Sequence, residues 1–147
     1  MQRRNFLTLL FGTLNAVLWL PINALAAVWS KAAFEATTLS EATQLLNINT
    51  ALPSQNIDII APDRAENGAV VQIEINSNIA NTQSIAVLVE HNPTVLIATF
   101  TFSHGALPFV ITRIKMAEDS DIKVIVKAGD QYYTKSKKVV VLENGCG

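Results

Sequence analysis

The sequence predicts an all-β chain: an immunoglobulin-like antiparallel β-sandwich of about seven strands, with a short N-terminal helical segment and a flexible C-terminal tail. Three observations predict it. After Pro53 the chain breaks into short runs of β-branched and apolar residues, several of them alternating with polar ones. Turn-forming residues separate the runs at close intervals. No stretch beyond Pro53 has the length and period of a crossover helix, which a parallel sheet requires. The Cys–Trp–Cys arrangement of antibody domains is absent, so the likeness is one of architecture only.

The chain opens with Arg3-Arg4 before an apolar run over residues 6–20, ended by Pro21 and followed by Ala24-Leu25-Ala26. That order of charge, apolar core and small residues is an export leader with cleavage after Ala26. The run is shorter than the ~20 residues that span a bilayer, which speaks against a retained anchor. The arginine pair with Asn5-Phe6-Leu7 has the form of a twin-arginine signal, although Gln2 and Thr8 depart from its fullest form. A general secretory signal is the alternative. The twin-arginine route moves folded cargo.

Residues 27–52 form the predicted helical segment. A first turn covers 29–36, and Thr38-Leu39-Ser40-Glu41 has capping-box spacing for a helix starting near Ser40. The sandwich follows over 53–142. Its predicted strands are 57–60, 69–76, 84–90, 95–102, 109–115, 121–128 and 136–142. In the second, Ala69, Val71, Ile73 and Ile75 take one face and Gln72, Glu74 and Asn76 the other. Residues 65–68 are expected to turn, and Gly129-Asp130 fits a hairpin leading into Gln131-Tyr132-Tyr133. Two strands, 85–89 and 139–142, are apolar on both faces. One face of each can enter the sandwich, and the other needs a cover, either the N-terminal helix or a partner protein.

Charge and cysteine usage bound the function. Without residues 1–26 the chain has nine basic and twelve acidic side chains, which does not fit nucleic-acid binding. There is a single cysteine, Cys146, so no internal disulfide can form. It lies in a tail, residues 143–147, as Asn144-Gly145-Cys146-Gly147. The flanking glycines leave little bulk beside the sulfur. Glu143 and the terminal carboxylate disfavour a thiolate, and an unperturbed thiol is only a few per cent ionised at pH 7. These features fit a passive carrier thiol better than a cysteine enzyme.

Other chemistries find little support. A blue-copper site would draw on His91, His104 and Cys146, but it needs His and Met beyond the cysteine, where only Gly147 stands. Zinc and haem motifs, phosphate loops and nucleophile elbows do not occur. The reading is therefore of a protein with no metal, no cofactor and no catalytic residue of its own. A non-covalent binding or assembly subunit, motivated by the doubly apolar strands, is the alternative.

Several segments resemble the SoxY family, the sulfur-carrier subunits of the SoxYZ complex of bacterial sulfur oxidation. They are Ala65-Glu66-Asn67-Gly68-Ala69-Val70-Val71, then Ser84-Ile85 with Val87-Leu88-Val89-Glu90 and Asn92-Pro93, then Thr112-Arg113-Ile114-Lys115-Met116-Ala117-Glu118, and the tail. The family tail is typically Gly-Gly-Cys-Gly-Gly. Here Asn144 replaces the first glycine and the last is lacking. Asn tolerates left-handed backbone better than most residues. The resemblance implies a sandwich bound to a leaderless, SoxZ-like small β-sandwich subunit and exported folded with it to the periplasm. It implies that thiosulfate-derived sulfur is held on Cys146, with Asn144, Gly145 and Gly147 as the flexible arm. A c-type cytochrome, a sulfate-releasing hydrolase and in some systems a sulfur dehydrogenase are the implied transient partners. Membrane and nucleic acid are not among them.

Overall fold

The computed structural model of the protein describes residues 30–103 and 105–143. The expected leader, the tail residues Asn144, Gly145, Cys146 and Gly147, and His104 lie outside the described residues.

Among the described residues two short helices come first. Helix α1 (Lys31–Glu35) is capped by Ser30, whose Oγ accepts from Ala33 N at 3.3 Å. Helix α2 (Leu39–Leu45) starts one residue earlier than the sequence predicts. Its N-cap is Thr38, whose Oγ1 accepts from Glu41 N at 3.2 Å. The Glu41 carboxylate returns to Thr37 N at 3.1 Å, one residue upstream of the reciprocal capping-box partner.

Nine strands follow: β1 (Leu52–Pro53), β2 (Ile57–Ile60), β3 (Arg64–Ala65), β4 (Val71–Ser77), β5 (Thr82–Val89), β6 (Leu96–Thr101), β7 (Phe109–Ile114), β8 (Ser120–Ala128) and β9 (Gln131–Val141). They form two sheets. The smaller has the order β2-β4-β7, all antiparallel. The larger runs β1-β9-β8-β5-β6, antiparallel from β9 to β6, and β3 also pairs with β9.

The pleat decides what is buried between the sheets. Val71, Ile73 and Ile75 of β4 pack with Ile85, Val87 and Val89 of β5 and Ile122, Val124 and Val126 of β8 in one buried layer. Each such fully buried side chain contributes roughly 1.5–3 kcal/mol relative to exposure. The doubly apolar β5 is explained by a second layer on its other face. There Ala86 and Leu88 pack with Leu96 and Ile125 beneath Ala33, Ala36 and Ala42 of the helical segment. The helices therefore supply the cover that β5 required. At the end of β9 the same pattern has a different outcome: Val139 and Val141 are buried, Val140 is half-buried, and Leu142 is exposed.

Three elements depart from the sequence-based expectation. Gln131-Tyr132-Tyr133 is not a separate run but the start of β9, one eleven-residue strand. Pro53, where the sandwich was expected to begin, lies in β1, and the first residue of the expected 65–68 turn, Ala65, lies in β3. Both are two-residue strands and both pair with β9 in parallel, at Leu52↔Tyr133 and Arg64↔Val140. Long β9 offers one free edge, and two short segments share it at different heights.

Candidate functional site

The register separates the two ends of the sandwich. At one end β5 and β8 pair as Thr82↔Ala128, next to the hairpin at Gly129. At the other, β8 and β9 pair as Ser120↔Val139, next to the last residues of β9. The chain leaves the sandwich toward Cys146 from this second end.

Several segments meet around that exit. Leu142 N donates to Ala65 O at 2.9 Å, and Gly68 N donates to Glu143 O at 2.9 Å. Gly68 O in turn accepts from Met116 N at 2.8 Å. Asn92, 9% exposed, inserts its amide between two main-chain groups of the same neighbourhood: Nδ2 donates to Lys115 O and Oδ1 accepts from Ala117 N, both at 2.8 Å. Residues 65–71, 92, 115–117 and 142–143 thus form one connected network. An Asx turn, Ala69 N to Asn67 Oδ1 at 2.7 Å, shapes the loop that carries Gly68. Each segment is far from the others in sequence, and the sheet register brings them together.

Charge around the exit is mixed. Lys137 on β9 donates to the exposed Asp63 carboxylate, which holds that carboxyl below its ordinary pKa of 3.8 through the hydrogen bond first and the ammonium charge second. His91 is half out in solvent. Its main-chain N donates to Ser120 Oγ at 3.1 Å, and its Nδ1 lies 2.6 Å from Asp119 O, which makes Nδ1 the protonated ring nitrogen. Ser103 and Gly105, on either side of His104, line an open hollow at the opposite end of the sandwich together with Thr82 and Gly129. The flanks of the two histidines therefore belong to opposite ends. Among the described residues no group of three or more His, Cys, Asp and Glu side chains is placed to hold a metal ion, and no helix is long and apolar enough to cross a membrane.

The outer face of the smaller sheet carries a further feature. Along the pairing Ile60↔Glu74↔Ile111 two exposed isoleucines flank one glutamate, and Phe109 follows on the next exposed row opposite Asn76. Sequence reading did not find this patch, because 109–115 and 57–60 show it only once their partners in the sheet are known.

Comparison with known proteins accords with the geometry. The family model "Sulfur oxidation protein SoxY" matches residues 42–146. Against curated protein sequences no match is found. Among solved structures, the sulfur carrier protein SoxY from Chlorobium limicola f thiosulfatophilum is similar, at 31% identity and a TM-score of 0.66. The match covers 77% of this chain and 99% of that one. An endo-beta-1,4-mannanase from Thermotoga petrophila aligns at 10% identity and a TM-score of 0.45, over 71% of this chain and 23% of that one. The match over residues 42–146 takes in both the network at the strand exit and the cysteine beyond it, and the chain belongs to the SoxY family of sulfur oxidation proteins.

Proposed function

We propose that the protein is a periplasmic covalent sulfur carrier and that Cys146 holds the sulfur. The observation that carries this reading is the placement of the exit. Three of the stretches shared with the family, at 65–71, Asn92 and 115–117, are linked by hydrogen bonds to the last residues before the tail, and Cys146 follows Glu143 by three residues. Three extended residues span at most ~11 Å, enough to bring a thiol away from the domain and into an enclosing enzyme pocket.

In this cycle a c-type cytochrome joins thiosulfate to the carrier. The Cys146 sulfur and the sulfane sulfur of thiosulfate form an S–S bond, the thiol proton is released, and two electrons pass to the cytochrome. A hydrolase then cleaves the terminal sulfonate as sulfate with water. In some systems a sulfur dehydrogenase oxidises the sulfane sulfur left on the carrier. The carrier contributes the thiol and its presentation, and the enzymes contribute the catalysis. The twin-arginine form of the leader supports export as a folded pair with a SoxZ-like subunit.

One observation favours a second reading, a non-covalent assembly subunit. The exposed Ile60, Ile111 and Phe109 give the smaller sheet an apolar outer face of the kind that partners cover. Deleting residues 144–147 separates the two. On the carrier reading the truncated protein folds and still co-purifies with its small subunit but accepts no sulfur from thiosulfate. Normal thiosulfate oxidation by the truncated protein would contradict the carrier reading and favour the alternative.

A further inference from the structure

The end of β9 continues past the strand that should support it. The β8–β9 ladder stops at Ser120↔Val139, where the chain preceding β8 turns away. Two residues later Val141 N still has an acceptor on that side, the Asp119 carboxylate, with Oδ1 at 2.7 Å. A side chain has replaced the missing main chain. On the opposite edge Val140 N donates to Asp63 O at 3.0 Å and Leu142 N to Ala65 O at 2.9 Å. Gly68 N then holds Glu143 O at 2.9 Å. The anchoring bonds therefore run from Val140 to Glu143, with Val141 held on the β8 side and the other three residues held by the segment from Asp63 to Gly68.

We propose that Asp119 and Gly68 are positioning residues for the carrier thiol, fixing the chain through Glu143 so that only the three following residues set the reach of Cys146. The proposal rests on the reading of Cys146 as the carrier. Its consequence is geometric. With the anchors in place the Cα of Cys146 is confined to within ~11 Å of the Cα of Glu143. Without the Gly68 bond the last anchor is Leu142 N on Ala65 O, so four residues would lead to Cys146 and the reach would grow to about 14 Å. A short leash keeps the thiol close to one entrance, where the docking of an enzyme raises its effective concentration. That concentration falls roughly as the −3/2 power of linker length or more steeply beyond the best match.

Paired nitroxide labels on Cys146 and on an Asp130→Cys variant, at the exposed far hairpin, read the reach by pulsed electron resonance in the full chain. The wild-type background is expected to give a narrow distance distribution. Asp119→Ala combined with Gly68→Pro, which removes one acceptor and one donor and leaves Val140 and Leu142 on Asp63 O and Ala65 O, is expected to broaden it by about a third. Asp119→Asn, whose Oδ1 can still accept from Val141 N, is expected to keep the narrow form. Should the double variant not fold, Asp119→Ala alone is compared with Asp119→Asn, with amide exchange at Val141 as the second readout and an acceleration of about tenfold or more expected. Equal distributions in all variants, or unchanged exchange at Val141 in Asp119→Ala, would overturn the proposal. Neither readout involves thiosulfate, so the anchor and the carrier role of Cys146 fail independently.

Discussion

Replacing Asn92 by alanine tests the network at the strand exit. Its side chain is 9% exposed and makes two hydrogen bonds of 2.8 Å to main-chain groups on a single segment, at Lys115 and Ala117. Alanine leaves one carbonyl and one N–H without those partners in a largely buried place. An unsatisfied group of this kind costs ~1–3 kcal/mol, and partial entry of water at the rim moderates the sum to about 2–4 kcal/mol. At roughly 4 °C per kcal/mol for a domain of this size, the midpoint of thermal unfolding should fall by about 8–16 °C. Asn92→Asp should not rescue it, because the carboxylate keeps the acceptor for Ala117 N but faces the Lys115 carbonyl with a second oxygen. Calorimetry of the purified variants measures the difference. A loss of less than about 3 °C in Asn92→Ala would refute the claim that this amide holds the segment in place.

Other expectations follow from the same structure. Ile73 is fully buried between the sheets, so Ile73→Ala should destabilise by about 2–5 kcal/mol in denaturant titration, with the cost set by how far the cavity collapses. The Asp63 carboxyl, depressed by Lys137, contributes stability that is present above its ordinary 3.8 and is lost as pH falls through the lowered native value. In Lys137→Met its NMR titration should move up toward 3.8, and an unmoved titration would discount the pair. Because Cys146 is the sole cysteine, the purified protein should form dimers that reductant removes and that Cys146→Ser does not form.

The sandwich was legible where side-chain period and burial agree. Val71, Ile73 and Ile75 announce their face by alternating with Gln72, Glu74 and Asn76, and the structure buries that face. The helical cover over Ala86 and Leu88 could be named in the sequence only as one of two options, since an apolar strand face does not say what will sit on it. The parallel strands β1 and β3 were not legible. Two residues carry no period, and their conformation is imposed by the free edge of β9. Cys146 was visible in the sequence as the lone cysteine of a short glycine-containing tail. The residues that anchor the chain leading to it were not. Asp119 reads as an ordinary acidic turn residue until β9 passes its carboxylate, and Gly68 as an ordinary turn glycine until its N–H meets Glu143.

The central claim is that sulfur is carried covalently by the thiol of Cys146. Mass spectrometry of the C-terminal peptide, from protein purified out of cells given thiosulfate, tests it most directly. The expected result is a set of sulfur-containing adducts on Cys146 that reductant removes and that Cys146→Ser lacks. Thiosulfate-dependent loading that persists in Cys146→Ser, or a C-terminal peptide that stays unmodified while thiosulfate is being oxidised, would contradict the account.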